Sequence, residues 1–433
     1  MAGEWKQVAF ADVIELISGG TPKTSVSEYW GGSIPWLSVK DFNTGYRWAN
    51  TAEKTITERG LAESATTILN RGDIIISARG TVGVVAQLAQ PMAFNQSCYG
   101  IRGRQGIAET NFVYYALRHA VSQMQQVAHG GVFNTITRDT FKIIKTKLPP
   151  LKEQRAIACI LGALDDKIEL NRRMNETLEA MARAIFKSWF VNFDPVRAKA
   201  EGQQPPGLAP HIADLFPDAF EDSKLGQIPK GWEVGRLDDI ATLEKSSVHP
   251  MQSPEKVWEH YSIPAFDAGR TPVLELGVTI KSVKYRVPDG CVLVSKLNPQ
   301  FPRIWLPKIQ DVEIAICSTE FMPFVPMQTG WRSFVYELMK SDLIQQGIQE
   351  RVTGSTGSRQ RAKPEDVATM PVLKPIPELI DAFGPIVGPL HEKVFAGIEQ
   401  SRTLAALRDT LLPRLISGEL RVPDAERIVG RCV

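Results

Sequence analysis

The spacing of apolar residues predicts two long helices with matching seams. In each helix the seam residues alternate in steps of four and three, with small or polar residues near the middle. The first seam contains Ile157, Leu161, Leu164, Ile168, Asn171, Asn175, Leu178, Ala182, Ile185 and Trp189; the second contains Phe383, Val387, Leu390, Val394, Gly397, Ser401, Leu404, Arg408, Leu411 and Leu415. This repeat is typical of a coiled-coil seam. An ordinary amphipathic helix on each domain remains the alternative interpretation.

Proline clusters indicate where these helices begin. Pro149 and Pro150 precede the first seam, and Pro375 and Pro377 precede the second. Proline is tolerated in the first turn of a helix, where its missing N–H is not needed, but not in the interior. We therefore predict that each helix starts directly after its proline cluster.

The two helices belong to an internal repeat that covers most of the chain. Residues 160–168 recur in kind at 386–394, always 226 positions later, and each copy opens with a tryptophan, Trp5 or Trp232. The stretches 71–86 and 288–306 both predict a buried strand that leads into an exposed polar loop. One structural unit is therefore encoded twice.

The repeat predicts an ordered series of segments. These are a globular domain (1–150), a helix (151–193), an exposed Pro/Gly-rich connector (194–230), a second globular domain (231–375), a second helix (376–422) and a tail (423–433). If the helices pair antiparallel, the molecule has an internal pseudo-twofold, and about 30 helical residues separate the domains by about 45 Å.

Bulk composition bounds the class of protein. The chain of 433 residues has a net charge of +2 and five scattered cysteines without a C-x-x-C pair, which is typical of reduced thiols. The sequence contains no apolar run near the ~20 residues that a membrane helix needs, and its start lacks the features of a signal peptide. We predict a cytoplasmic protein that does not enter a membrane.

The sequence offers no constellation of catalytic residues. The tetrapeptide with which an amino-methyltransferase holds a flipped base is absent, and NFDP (192–195) has the wrong order. Asp218, Asp222 and Lys224 superficially resemble a two-metal nuclease site, but they lie close together in the connector, where a solvated acidic linker is the simpler interpretation. The six histidines show no metal-ligand spacing. We therefore predict no catalytic and no metal-binding residue, and a binding function.

The predicted loops combine hydroxyl, amide and cationic side chains, which contact phosphates and read base edges in DNA. A solvated turn is the alternative for any one loop. In the first copy the candidates are Thr21, Lys23, Thr24, Ser38, Lys40, Arg79, Asn95, Gln96, Asn134, Thr135 and Arg138. In the second copy they are Lys245, Ser246, Ser247, Lys296, Asn298, Gln300, Arg359, Gln360, Arg361 and Lys363. Similar scaffolds with different loops predict that two different DNA sequences are read.

Three stretches carry a resemblance to a known family. SGGTPKTSVSEYWGGSIPW (18–36), LPPLKEQRAI (148–157) and LFPDAFEDSKLGQIPKGWE (215–233) resemble the specificity subunits of bacterial type I restriction-modification systems. The resemblance implies an α+β fold in which two mixed target-recognition domains with curved β-sheets are separated by two long antiparallel coiled-coil helices, with an internal pseudo-twofold repeat. The chain departs from the pattern at KPIPELIDAF (374–383), which lacks the Glu153–Gln154 pair of the first copy.

The resemblance also implies a function and partners. The chain would bind an asymmetric, bipartite sequence in double-stranded DNA without catalysis of its own. Two methyltransferase subunits would bring S-adenosylmethionine for adenine methylation, and two motor and endonuclease subunits would bring ATP and Mg²⁺, so this chain would bind no cofactor itself. A protein-assembly scaffold that reads no DNA and a DNA methyltransferase fragment are the alternative hypotheses.

Overall fold

The structure is a computed structural model that describes residues 5–127, 135–353 and 360–432. The chain divides into two compact units: unit 1 comprises Met1–Arg172 and Glu399–Val433, and unit 2 comprises Arg173–Ile398. Over the described residues, no helix combines the length and the apolar character needed to cross a membrane.

Unit 1 contains eleven strands among its described residues. They are β1 (Lys6–Ala9), β2 (Ile14–Ser18), β3 (Trp30–Leu37), β4 (Trp48–Ala49), β5 (Lys54–Ile56), β6 (Ile68–Leu69), β7 (Ile74–Ser77), β8 (Val85–Leu88), β9 (Met92–Phe94), β10 (Cys98–Gly103) and β11 (Lys145–Leu148). Its helices are α1 (Phe10–Val13), α2 (Val39–Phe42), α3 (Glu58–Ala62), α4 (Thr110–Val127), α5 (Thr140–Ile143) and the first part of α6 (Leu151–Phe190).

Unit 2 begins within α6 and continues through a second series of elements. Its helices are α7 (Asp194–Ala200), α8 (Pro210–Ala213), α9 (Ile263–Asp267), α10 (Arg332–Lys340), α11 (Asp342–Glu350), α12 (Pro364–Ala368) and most of α13 (Pro377–Ser417). Its strands are β12 (Phe220–Ser223), β13 (Gly226–Pro229), β14 (Glu233–Arg236), β15 (Ala241–Leu243), β16 (Ser247–Val248), β17 (Val257–Tyr261), β18 (Val273–Leu276), β19 (Lys284–Arg286), β20 (Val292–Ser295), β21 (Ile304–Trp305), β22 (Ala315–Ser318), β23 (Phe321–Pro326), β24 (Val352–Thr353), β25 (Arg361–Ala362) and β26 (Pro371–Lys374). The end of α13 and α14 (Val422–Cys432) belong to unit 1.

The sheets of the two units share a strand order. Unit 1 has a five-stranded sheet β2-β10-β7-β8-β4, and unit 2 has a four-stranded sheet β15-β23-β20-β21 whose strands occupy the same order along the chain. A two-stranded ribbon, β1-β11 in unit 1 and β14-β26 in unit 2, pairs the start of each globular part with the strand before its long helix. The predicted internal repeat is confirmed, and so is the α+β class with two globular parts and long helices.

The remaining sheets differ between the units. Unit 1 has a four-stranded sheet β5-β3-β9-β6, whereas unit 2 has a five-stranded sheet β16-β19-β22-β17-β18. The central strands β7 and β20 are fully buried, as their runs of Ile, Val and Leu predict, and each leads into a polar loop. The two units therefore share the sheet whose strands hold these loops, and they differ in the second sheet, β5-β3-β9-β6 in unit 1 and β16-β19-β22-β17-β18 in unit 2.

The residues of the predicted seams are buried or half-buried, and the two long helical segments contact each other within each unit. In unit 1, Glu153, Asp165 and Asn171 of α6 contact Arg421, Arg408 and Ser401 respectively, so residue numbers rise along one segment as they fall along the other. In unit 2 the ring of Phe186 contacts Phe383. Because Asn175 of α6 also lies against Gly397 of α13 in unit 2, the pairing is antiparallel in each unit. Helix α6 begins at Leu151, directly after Pro149 and Pro150.

Helix α13 contains three prolines beyond its first residue. Pro385, Pro389 and Pro413 all lie within Pro377–Ser417, where the sequence rule excludes proline because it removes a backbone hydrogen bond. Phe383, Val387 and Leu415 on the same helix are completely buried. Burial of the seam therefore outweighs the local cost of proline.

The connector is more ordered than its composition predicts. Residues 194–230 form α7, α8 and the hairpin β12-β13, and Val196, Ala213, Phe216 and Ile228 are buried in the core of unit 2. Trp189 packs edge-on against Phe216 at a centroid distance of 5.2 Å. Most of the segment is exposed, as the prediction expects, but these four residues are buried. A few apolar anchors among many polar residues leave no periodic signal in the sequence.

A repeated tripeptide attaches each globular part to its helices. Residues 112–114 of α4 and 334–336 of α10 both read Phe-Val-Tyr, and all six side chains are buried. The residues that follow, Tyr115 and Glu337, both point to the long helices: Tyr115 Oη donates to Asp165 at 2.6 Å in unit 1, and Glu337 Oε1 lies 3.0 Å from His391 Nε2 in unit 2. His391 lies 226 positions after Asp165, so the same place in the repeat holds a polar contact of different chemistry.

Candidate nucleic-acid interface

In unit 1 the candidate loops begin where two parallel strands end. Leu37 of β3 pairs with Phe94 of β9, and the N–H of Asn95 donates to the carbonyl of Leu37 at 3.0 Å. Ser38 and Asn95 follow directly on these strands, so two predicted residues are brought together. The Ser38 hydroxyl is committed to capping α2, where it donates to Asp41 at 2.7 Å.

The glycine pair before Thr21 allows a close approach of two backbone segments. The N–H of Gly20 donates to the carbonyl of Phe94 at 3.0 Å. A Cβ on Gly19 would overlap the carbonyl oxygen of Asn95, and one on Gly20 would overlap the backbone at Ala65. Because only glycine fits at this distance, the SGG sequence positions the next residue, Thr21, against Gln96.

The hydroxyl of Thr21 donates to the side-chain oxygen of Gln96. Lys23 and Thr24 continue the same segment and are exposed. One edge of unit 1 therefore combines hydroxyl, amide and ammonium groups from the two loops 19–24 and 95–97.

Two further loops, the loop after β7 and the segment 135–138, contact each other next to the loops 19–24 and 95–97. The loop after β7 pairs with residues 135–136: Arg79 forms an antiparallel bridge with Thr135, and the N–H of Ile136 donates to the carbonyl of Ala78 at 2.9 Å. The guanidinium of Arg138 donates to the hydroxyl of Ser18 at 2.9 Å. Because the N–H of Ala78 also donates to Ser97 at 2.8 Å, these loops are continuous with the loop that holds Asn95 and Gln96.

The structure does not add Lys40 or Asn134 to this group. The ammonium of Lys40 lies 2.8 Å from the carboxylate of Glu53 on an exposed surface, an ion pair that raises the pKa of Lys40 above its ordinary value. Asn134 lies outside the described residues. The structure thus gathers Thr21, Asn95, Gln96, Arg79, Thr135 and Arg138, with Ser38 beside them.

Unit 2 repeats the crossing of loops with different side chains. The loop after β20 pairs with residues 360–362: the N–H of Asn298 donates to Gln360 at 2.9 Å, and the N–H of Ala362 donates to Lys296 at 3.1 Å. Leu297 and Arg361 form the antiparallel bridge that corresponds to Arg79 and Thr135 in unit 1. Asn298 has a left-handed backbone (φ +48°), a conformation that asparagine tolerates better than most residues.

Several unit 2 candidates are engaged in internal contacts. The guanidinium of Arg361 pairs with both carboxylate oxygens of Glu320, at 2.7 and 3.0 Å, and this hydrogen bonding raises the pKa of Arg361 above its ordinary value. Lys245 forms an ion pair with Glu365. The amide and hydroxyl of Ser246 both donate to Glu244, which lowers the pKa of that carboxyl group. In this conformation Lys245, Ser246 and Arg361 fix the loops on which they lie.

The other unit 2 candidates lie on the same loops. Ser247 begins β16, Gln300 is exposed on the loop after β20, and Lys363 precedes α12 and is exposed. Arg359 lies outside the described residues. The crossing therefore brings together Lys296, Asn298, Gln300, Gln360, Arg361 and Lys363.

A buried polar cluster and an exposed aromatic residue were not among the candidates predicted from the sequence. Arg47 is buried, and its guanidinium donates to Gln87 of β8 at 2.7 Å and to Asn111 of α4 at 3.1 Å. Phe301 is exposed on the loop after β20. No short-range pattern identifies the cluster, whose members lie 24 to 64 residues apart, whereas the Phe301 ring could have been noticed between the two prolines of NPQFP.

Comparisons with known proteins agree with this architecture. Residues 2–180 match the family model described as the type I restriction modification DNA specificity domain. The MjaIX type I restriction enzyme specificity subunit of Methanocaldococcus jannaschii is 28% identical over 97% of this chain and 94% of its own length. The HindI specificity subunit of Haemophilus influenzae is 26% identical over 68% of this chain and 72% of its own length.

A solved structure shares the fold. The crystal structure of the type I restriction-modification system S subunit from M. genitalium superimposes with a TM-score of 0.58, at 15% sequence identity, and covers 96% of both chains. This chain therefore shares the fold of that S subunit. Over almost its whole length the chain is similar to type I restriction enzyme specificity subunits.

Proposed function

We propose that this chain is the DNA-recognition subunit of a type I restriction-modification complex and that it performs no chemistry itself. The observation that carries the proposal is the repeated loop crossing: two units hold loops at the same place in a shared strand order, but with different side chains. Direct readout of DNA needs such groups at base edges, and phosphate contacts orient the protein on the duplex.

Two different sets of loops support recognition of an asymmetric sequence in two parts. At the crossing of loops unit 1 offers Arg79 and Arg138, whereas unit 2 offers Lys296 and Lys363 on the corresponding loops, with Gln300 beside Lys296. Identical loops would favour a palindromic site, since related surfaces read related sequences. We propose that each unit reads one half-site in double-stranded DNA.

The partners and their cofactors follow from the same proposal. Two methyltransferase subunits would supply S-adenosylmethionine for adenine methylation, and two motor and endonuclease subunits would supply ATP and Mg²⁺. Within the ranges that the structure describes, no group of three or more Cys, His, Asp or Glu side chains is arranged to hold a metal ion. We propose that this chain binds none of these cofactors.

Methylation of the host genome tests the proposal directly. We expect that deletion of the gene for this chain abolishes adenine methylation at one asymmetric bipartite motif, because the methyltransferase loses its sequence reader. Single-molecule sequencing of genomic DNA with and without the gene measures this and identifies both half-sites. Restoration of the gene on a plasmid is the control, and unchanged methylation at every motif would favour the scaffold hypothesis.

A further inference from the structure

Phe301 stands out from the polar residues around it. It lies near the tip of the loop 296–303, between β20 and β21, and the relative solvent accessibility of the residue is 61%. Burial of a phenylalanine side chain is favourable, so an exposed ring leaves that free energy available for binding. Isolated exposed apolar residues are common, however, and exposure alone does not identify a site.

The backbone around Phe301 is fixed by several contacts. The N–H of Phe301 donates to the carbonyl of Asn298 at 2.9 Å, and the side chain of Gln349 donates to the carbonyl of Pro299 at 3.4 Å. Arg303 donates to the carbonyl of Phe301 at 3.4 Å and pairs with Asp267 at 2.7 and 2.9 Å. Pro299 and Pro302 further restrict the loop.

The conformational entropy of the loop that carries Phe301 is therefore already reduced before any partner binds. A loop that is rigid in its binding conformation loses little entropy on association.

The position of the loop connects Phe301 to the proposed interface. Its base is held at Lys296 by the N–H of Ala362, just as the corresponding loop of unit 1 is held at Ala78 by the N–H of Ile136. The unit 1 tip exposes Arg79 and Thr81, whereas the unit 2 tip exposes Gln300 and Phe301. An aromatic ring thus lies where the other copy has hydroxyl and cationic groups.

Resting on the proposed function, we infer that Phe301 packs against the C5-methyl group of a thymine in the major groove of the half-site read by unit 2. A phenylalanine ring is one of the apolar groups that contact this methyl in direct readout. The neighbouring Gln300 supports this assignment, because a glutamine amide pairs with N6 and N7 of adenine, the partner base of thymine. Phe301 is therefore a specificity-determining residue for an A·T pair.

Replacement of thymine by deoxyuridine removes only the methyl group and tests the contact. The full chain, in complex with its methyltransferase subunit, is titrated with duplexes in which each thymine of the unit 2 half-site is replaced in turn. We expect one replacement to raise the Kd about fourfold, the effect of one buried methyl group. Phe301→Ala should raise the Kd for thymine DNA by at least this factor and should bind both duplexes equally.

Leu274→Ala is the matched control. Leu274 is also a highly exposed apolar residue (67%), but it lies on β18 in the other sheet of unit 2. This variant should bind like the unmodified chain and retain the sensitivity to deoxyuridine. Circular dichroism should show that both variants are folded, as expected for exposed positions.

Other outcomes separate the two levels of the proposal. A half-site without thymine, or a Phe301→Ala variant that remains sensitive to deoxyuridine, would overturn the inference while leaving the DNA-recognition function intact. An equal loss of affinity by Phe301→Ala on unrelated DNA, or enhanced 2-aminopurine fluorescence in the half-site, would indicate stacking between bases instead of methyl recognition. If the unmodified chain shows no sequence preference, the proposed function itself fails.

Discussion

At the scale of single residues, Gly397 shows how the seam depends on a missing side chain. A Cβ at this position would lie 2.5 Å from Oδ1 of Asn175 within unit 2. Replacement of glycine by alanine in a helix normally stabilises it by about 1 kcal/mol. Here we expect Gly397→Ala to lower the free energy of unfolding by about 1 kcal/mol, because overpacking costs more than the helix propensity returns. Urea denaturation followed by circular dichroism measures the change.

A second substitution distinguishes overpacking from other effects of the methyl group. If the clash with Asn175 is the cause, the double variant Asn175→Ala/Gly397→Ala should be more stable than Asn175→Ala alone, because the helix propensity of alanine is then gained without a collision. A double variant that remains less stable than Asn175→Ala would show that the clash is not the cause.

Residue chemistry also explains which parts of the candidate site could be predicted. Hydroxyl, amide and basic residues in loops identified the unit 1 edge, because short-range sequence shows which groups a loop carries. The sequence did not reveal that Lys245 and Arg361 are engaged, since their partners Glu365 and Glu320 lie 120 and 41 residues away. Such pairs depend on the tertiary fold.

At the scale of elements, a buried ion pair joins the two helical segments of unit 1. Asp165 of α6 accepts from Arg408 of α13 at 2.5 Å and from Tyr115 of α4 at 2.6 Å. Burial alone would lower the pKa of Arg408. Its hydrogen bonds to Asp409 and Asp165 outweigh this effect and raise the pKa above its ordinary value. We expect Asp165→Ala to lower the free energy of unfolding by about 3 kcal/mol, because it leaves a buried cation with fewer partners.

A double-mutant cycle with Arg408→Ala separates the pair from its surroundings. We expect the double variant to be less destabilised than the sum of the single variants, because neither charge is then left buried without the other. Arg402→Ala, which removes an exposed ion pair with Glu399 on the same helix, should change the free energy of unfolding by less than about 0.5 kcal/mol. Additive effects in the Asp165–Arg408 cycle would contradict the coupling.

The sequence predicted the long helices well but not the contacts of the shorter elements. The seams and their proline starts gave both long helices, because a 3.5-residue period over about ten turns is a strong signal. The repeated Phe-Val-Tyr of α4 and α10 escaped notice, although the repeat could have revealed it. The buried anchors of the connector were not predicted because Val196 and Phe216 are isolated apolar residues in a polar segment, and only the fold shows what they bury against.

At the scale of the whole molecule, the repeat makes the two proposed recognition functions separable. Each unit has its own core and its own loop crossing, so we expect exchange of residues 1–150 for those of a type I specificity subunit to change one half of the methylated motif only. Methylation sequencing of a host that carries the hybrid measures both halves at once. The reciprocal exchange of residues 231–375 is the control, and it should change the other half. Changes in both halves from either exchange would refute independent reading.

The division of the chain between the units has a consequence for biosynthesis. Unit 2 is one continuous segment, whereas unit 1 needs residues 399–433 to cover Ile157, Leu161 and Leu164 on α6. The first part of unit 1 to be synthesised therefore has an apolar helical face exposed to solvent until about 230 further residues have been added. At ordinary rates of synthesis this takes roughly 10 to 45 s. During that interval the nascent protein should be a substrate for chaperones that shield exposed apolar surface, and a stop codon near residue 398 should leave a product prone to aggregation and proteolysis.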